Sequence, residues 1–160
     1  MSCHTAMPTQ SHELVIDRIL NAPRDNLWRC WTDPRLMEDW FCPKPWHVSD
    51  VVVDARPGGE FSSVMHGPGG EEIPSTGVFL EVVEGSKLVF TDALLPGWLP
   101  SGRPFMVAEI LLEDIGDGNT RYVARARHWT DEACREHEAM GFHEGWNAVA
   151  DQLEALAARL

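Results

Sequence analysis

The C-terminal third of the chain gathers His128, Cys134, His137, Glu138 and His143, side chains that bind metals or move protons. Cys134 precedes His137 by three residues and Glu138 by four, a helical spacing that sets ligands on one face. Structural zinc sites bring tighter paired spacing, and neither a C-x-x-C nor an H-x-x-x-H element occurs. Arg135, Glu136 and Glu138 interleave with the candidates, which is the pattern of a solvated helix face. No metal and no cofactor are expected.

A second set is polar but placed to point inward: Arg18, Asp92, Tyr122 and His128. A histidine beside an aspartate in an apolar cavity could act as a general base with an orienting carboxylate. His128 and Asp92 are the weak catalytic candidates on that ground. Against them, no G-x-S-x-G, H-E-x-x-H, Walker or G-x-G-x-x-G element is present, and nothing pairs a nucleophile with a base. Enzyme activity of the cyclase or hydrolase type is therefore an alternative and not the leading reading.

The elements that would position these residues are legible from punctuation. HELVIDRIL (12–20) alternates as a strand, and NAP (21–23) then supplies a helix start. Leu27, Trp28 and Trp31 form the apolar side of one short helix, and Asp33-Pro34 starts a second with Leu36, Met37 and Trp40. FCPKPWH (41–47) ends it. Strand-like runs follow at about 48–56, 59–66, 72–84, 86–93, 103–115 and 119–129, separated by glycine-rich turns and one long PGWLPSG loop. The spacing predicts a closing helix from about Asp131 to Leu160, bent near Gly141, with Trp146, Val149, Leu153, Leu156 and Leu160 on one face.

Six successive antiparallel strands need a cover on one face, and only the last helix is long enough to supply it. Alternation then turns Leu14, Ile16, Arg18 and Leu20 inward, with Phe61, Ser63 and Met65, and with Leu88, Phe90 and Asp92. Met106, Ala108, Ile110 and Leu112 join them, as do Tyr122, Ala124, Ala126 and His128, leaving Glu109, Glu113, Arg121, Arg125 and Arg127 to face water. Gly141 and Gly145 stand one turn apart in the covering helix, where each glycine costs about 1 kcal/mol relative to alanine. Small residues on both layers leave space, and aromatic neighbours make that space a hydrophobic cavity. Close helix–sheet packing is the other use two glycines could have.

The expected cavity wall takes Trp31 and Trp40 from the short helices, and Phe61, Met65, Phe90 and Met106 from the strands. Ala124, Ala126 and His128 form its floor, Phe142 and Trp146 its roof, and Trp98, in the long loop, a lid over the mouth. The expected ligand is a small apolar molecule, lipid-like or aromatic.

The bulk numbers agree with one globular domain: 160 residues, 44% of them hydrophobic. Residues 1–10 are polar and unpatterned and read as a flexible arm, with a single domain over 11–160. A formal charge of −12, from 25 acidic and 13 basic side chains, argues against nucleic acid as a partner. No signal-like or membrane-length apolar run occurs, so no membrane insertion is expected. Four scattered cysteines fit reduced thiols and a cytoplasmic location.

These pieces, in order, resemble a family. LVIDRILNAP with LWRCWTDPRLMEDWF, then DARPGGEF, GVFLEV with KLVFT, and HEAMGFHEGWNAVADQLEALA span about Leu14 to Leu160. They are similar to the bacterial branch of the SRPBCC (START-like) superfamily named after the activator of heat-shock-protein-90 ATPase homologue. The resemblance implies an α+β helix-grip fold, with a curved antiparallel sheet wrapped around a long C-terminal helix. It leaves function among ligand carriers, cyclases and chaperone-associated, stress-response interaction proteins. A homodimer and a chaperone partner stay open as partners. The co-chaperone behind the name carries a further N-terminal domain, for which this length leaves no room.

Overall fold

The computed structural model describes residues 12–160; the expected arm at 1–10 lies outside them. Strand β1 (Glu13–Leu20) leads into α1 (Arg24–Thr32) and α2 (Pro34–Met37). Asp33 caps α2 by accepting a hydrogen bond from the Arg35 backbone N–H at 2.9 Å, and Pro34 occupies its first turn. There follow β2 (His47–Val53), β3 (Glu60–His66), β4 (Glu72–Val83) and β5 (Lys87–Thr91). A two-strand hairpin, β6 (Leu94–Leu95) and β7 (Leu99–Pro100), folds within the long loop that the sequence left unstructured. Strands β8 (Val107–Gly116) and β9 (Asn119–Arg127) complete the main sheet, and α3 (Asp131–Ala139) and α4 (Phe142–Arg159) close the chain.

The seven-stranded sheet is antiparallel in the order β1-β9-β8-β5-β4-β3-β2. β1 and β2 therefore lie at opposite edges, and α1 and α2 carry the chain across between them. Helix α4 packs on α1 and β1, giving the helix-grip arrangement of the α+β class. Its C-terminal half is anchored solidly: Ala150, Leu153, Leu156 and Ala157 are buried in one cluster with Leu20, Leu27, Cys30, Met37 and Trp40. Gln152 fastens the helix to the segment after α2, its amide donating to the carbonyls of Trp40 (2.9 Å) and Cys42 (2.7 Å).

The single bent helix expected over 131–160 is two helices. Gly141 takes φ 98°, ψ 36°, the left-handed region, and ends α3 while starting α4. A residue with a Cβ is disfavoured there, so the break is written into the glycine.

The outward charges also depart from expectation at one place. Glu109 does not face water; its side chain is enclosed by Arg125 (2.8 Å), Arg127 (3.6 Å) and Lys87 (3.7 Å). It stands opposite Arg125 on β9 and Val89 on β5, so the central strand position surrounds it with neighbouring side chains.

Candidate functional site

The N-terminal half of α4 spans the sheet without filling the space beneath. Trp146 and Val149 share the face of buried Leu153 but stay only half-buried. A Cβ added at Gly145 would meet nothing within 4 Å, so this glycine borders open space. Below it lies a cavity of about 660 Å³, within the range that holds small molecules.

Aromatic rings build its inner wall by edge-to-face and tilted contacts. Trp31 meets Trp40 at 4.9 Å and Phe90 at 5.8 Å, and Phe61 meets Phe90 at 4.8 Å and Phe41 at 5.8 Å. Phe142 and Trp146 form the roof, 4.5 Å apart. Met65 and Ile73 come from β3 and β4, Met106 from the approach to β8, and Ile110, Tyr122 and Ala124 from the sheet floor. Ile73, Phe105 and Met140 line the cavity and are also exposed, which marks its mouth.

Three of the expected wall residues lie elsewhere. Trp98 is 54% exposed and stands on Gly58, where an added Cβ would come within 2.8 Å of its ring. Its ring packs against Gly58 and is not part of the cavity lining. Ala126 is 0% exposed and closed into the core. His128 faces inward but does not reach the cavity, because the Phe105 segment and α3 cover it: its Nδ1 donates to the Phe105 carbonyl at 2.9 Å, and its Nε2 meets His137 Nδ1 at 2.9 Å.

The His128–Asp92 dyad does not form. Asp92 lines the cavity, yet its Oδ1 accepts from the backbone N–H groups of Phe105 (2.8 Å) and Met106 (3.2 Å). The two side chains hold the same segment, one by its carbonyl and one by its amides. Both are structural clasps.

His137 is the histidine that reaches the cavity. Because the Phe105 carbonyl can only accept, His128 carries its proton on Nδ1 and offers Nε2 as an acceptor. His137 Nδ1–H must then be the donor between the rings, which leaves its own Nε2 bare. Burial first, and the neighbouring His128 second, lower the His137 pKa to about 4. It is a neutral acceptor at neutral pH and too weak a base for general catalysis there.

Two polar groups sit deep in the wall. Trp40 donates its indole N–H to the Cys30 carbonyl at 3.1 Å, but the Trp31 N–H is buried with no partner. A buried donor left unmade costs about 1–3 kcal/mol. Beside it is the Tyr122 hydroxyl. Burial pushes the Tyr122 pKa far up, opposed by the pull of the Trp31 N–H and the charge of Arg18. The Trp31 N–H thus faces the Tyr122 oxygen, although too loosely to make a full hydrogen bond.

Of the metal candidates, His128 and His137 meet each other and the rest lie apart from them. Cys134 is buried in the core cluster, while Glu138 and His143 pair with each other at 3.9 Å. Among the described residues no three His, Cys, Asp or Glu side chains converge to hold an ion. Cys42 lines the cavity, but burial raises its thiol to about 11 and keeps it protonated.

The cavity lining also includes Phe41, Pro43 and Trp46 from the segment after α2, and Ile73 and Ser75 on β4, none of them among the expected wall residues. For β4 the alternation Ile73, Ser75, Gly77 was available as a signal. For 41–46 nothing local was, since proline-rich turns show no periodicity.

A curved antiparallel sheet closed by a C-terminal helix over an apolar cavity defines a START-like protein of the SRPBCC class. The chain belongs to the family described as activator of Hsp90 ATPase homolog 1-like protein, whose model matches residues 21–158. It is similar to a crystal structure of a Nitrosomonas europaea protein, with 43% identity, TM-score 0.90, and 95% of this chain and 97% of that one covered. A Mycobacterium smegmatis protein follows at 27% identity and TM-score 0.75, covering 91% and 90%. An AHSA1-like protein from Aeromonas hydrophila, at 18% identity, TM-score 0.68 and 90% of each chain, shares the fold. A search of the curated proteins returned no match. Among the described residues no helix is long and apolar enough to cross a membrane.

Proposed function

We propose that this protein reversibly binds a small, largely apolar molecule between its sheet and α4, as a carrier or sensor in the cytoplasm. The observation that carries the reading is the cavity of about 660 Å³ with its aromatic wall and apolar mouth. A well-packed core rarely leaves so large a void, and an apolar void of this size gains from occupation. The cytoplasmic part draws support from Cys30, Cys42 and Cys134, which are free thiols.

Nile red, a neutral dye that brightens in apolar surroundings, tests it. The protein should bind one dye per chain. Ser63→Leu, on the cavity wall at a partly buried position, should weaken binding while changing stability little, because the added carbons enter open cavity. Ala126→Leu enters packed core and should cost about 1–3 kcal/mol. If the parent protein binds no dye and native mass spectrometry of fresh preparations finds only bare chain, the reading fails.

A further inference from the structure

His137 brings to the cavity wall a polar atom that the fold has oriented and left without a partner. The orientation starts at a backbone carbonyl. Phe105 accepts the His128 Nδ1 proton at 2.9 Å, so the neutral His128 ring presents Nε2 as an acceptor 2.9 Å from His137 Nδ1. His137 Nδ1 must then hold that ring's one proton, and its Nε2 keeps a free lone pair. Among the described residues no group donates to this nitrogen, although the residue is only 8% exposed. Unlike the Trp31 N–H, the atom is not sealed from water, and the ring lines the cavity. A buried acceptor held in one tautomer beside open space fits a donor carried by an occupant.

Charge narrows the kind of donor. The imidazole packs on the rings of Phe105 (4.8 Å), Phe142 (5.2 Å) and Trp146 (6.1 Å), and burial there is what lowers its own pKa to about 4. Surroundings that keep a proton off Nε2 also penalise an ammonium group placed against it. Among the described residues no lysine or arginine lines the cavity, so a carboxylate inside would be a desolvated charge without a counter-ion. Asp92, the acid in the wall, already accepts two backbone N–H groups. A neutral hydroxyl needs only the one acceptor, whereas an amide adds a carbonyl that the His137 ring cannot serve.

We propose that His137 Nε2 receives the hydroxyl of a neutral ligand, an alcohol or a phenol, and that the cavity selects it over charged analogues. This rests on the binding function proposed above and adds the ligand's class to it. Phe105, which marks the mouth, packs on His137, so the hydroxyl stays at the outer end. The apolar body reaches inward along Trp31, Phe61 and Phe90.

Four probes on one biphenyl skeleton test this: 4-phenylphenol, its methyl ether, biphenyl-4-carboxylate and 4-phenylbenzylamine. Calorimetry or tryptophan quenching gives each dissociation constant. The ratio of the ether constant to the phenol constant isolates the donor, since both carry the oxygen and the same rings. It should fall about ten-fold in His137→Phe, the size of one lost hydrogen bond. Should that variant not fold, the unaltered protein supplies a second measurement. Nitrogen-15 NMR at neutral pH should show His137 Nε2 without a proton in the free chain. Bound 4-phenylphenol should move that resonance upfield, well beyond any shift the ether causes.

The proposal is overturned if Nε2 carries the proton in the free protein, if bound phenol leaves its resonance where the ether does, or if His137→Phe leaves the ratio unchanged. It is also overturned if the carboxylate or the amine binds as tightly as the phenol, or if Nile red binds and 4-phenylphenol does not; the cavity would then be a site without this polar selection. Failure of Nile red and every probe would instead remove the binding function itself.

Discussion

Acid should destabilise this protein through one identifiable group. His137 donates from Nδ1 to His128 and is 8% exposed, so protonation would place a charge among Phe105, Phe142 and Trp146. Its folded pKa of about 4 lies below the ordinary 6.5, so the unfolded chain takes up the proton first as pH falls. The stability at stake is fully present above about pH 6.5 and is lost as pH drops toward 4. Linkage with these two values gives a loss of about 2 kcal/mol between pH 8 and pH 5. The cavity beside the ring admits water, and screening there trims the figure to about 1–2 kcal/mol. Urea unfolding followed by tryptophan emission at both pH values measures it. Carboxylates also titrate in this window, so the comparison must be with His137→Asn, whose amide can still donate to His128 and does not titrate. The wild type should lose about 1–2 kcal/mol more than the variant across the interval. Equal losses, within about 0.5 kcal/mol, would refute the assignment of a buried neutral ring.

The two glycines should respond with opposite signs to the same change. Gly145→Ala places a methyl in open space on a helix and should stabilise by about 0.5–1 kcal/mol, whereas Gly141→Ala, at φ 98°, should destabilise by about 1–2 kcal/mol; thermal melts of both variants check it. Trp98→Ala should leave Nile red affinity unchanged, because the ring stands on Gly58 and away from the cavity. A clear loss of dye binding in that variant would return Trp98 to the role of lid.

The inward face of the sheet was legible because a strand has period two. Ile16, Ile110, Tyr122 and Ala124 follow from alternation alone, and all four line the cavity. What alternation cannot say is whether an inward residue meets space or another side chain. Ala126 and His128 point inward as Ala124 does, yet Ala126 is closed into the core and the Phe105 segment and α3 occupy the space in front of His128. The neighbour of Trp98 is hidden from local pattern for a related reason, since Gly58 lies forty residues away. His137 could have been found. It lies three residues after Cys134 and four before Gly141, both turned inward, so helical periodicity outweighs the charged residues flanking it. The break at Gly141 was half-legible, since a glycine beside a good amphipathic run marks a bend or an end equally well.

The unequal support along α4 has a consequence for how the molecule breathes. Residues from Ala150 onward are held by buried Leu153, Leu156 and Ala157, so their amides should exchange with solvent hydrogen only through global unfolding. The turns around Trp146 rest over a void, and the left-handed joint at Gly141 separates them from α3. Opening of that end requires Phe142 and Trp146 to lift together but leaves the buried C-terminal half in place, so it lies below global unfolding on the protein's free-energy ladder. Exchange of the proposed guest would then proceed by sub-global opening at the α3–α4 joint, with the anchored half of the helix serving as the fixed frame.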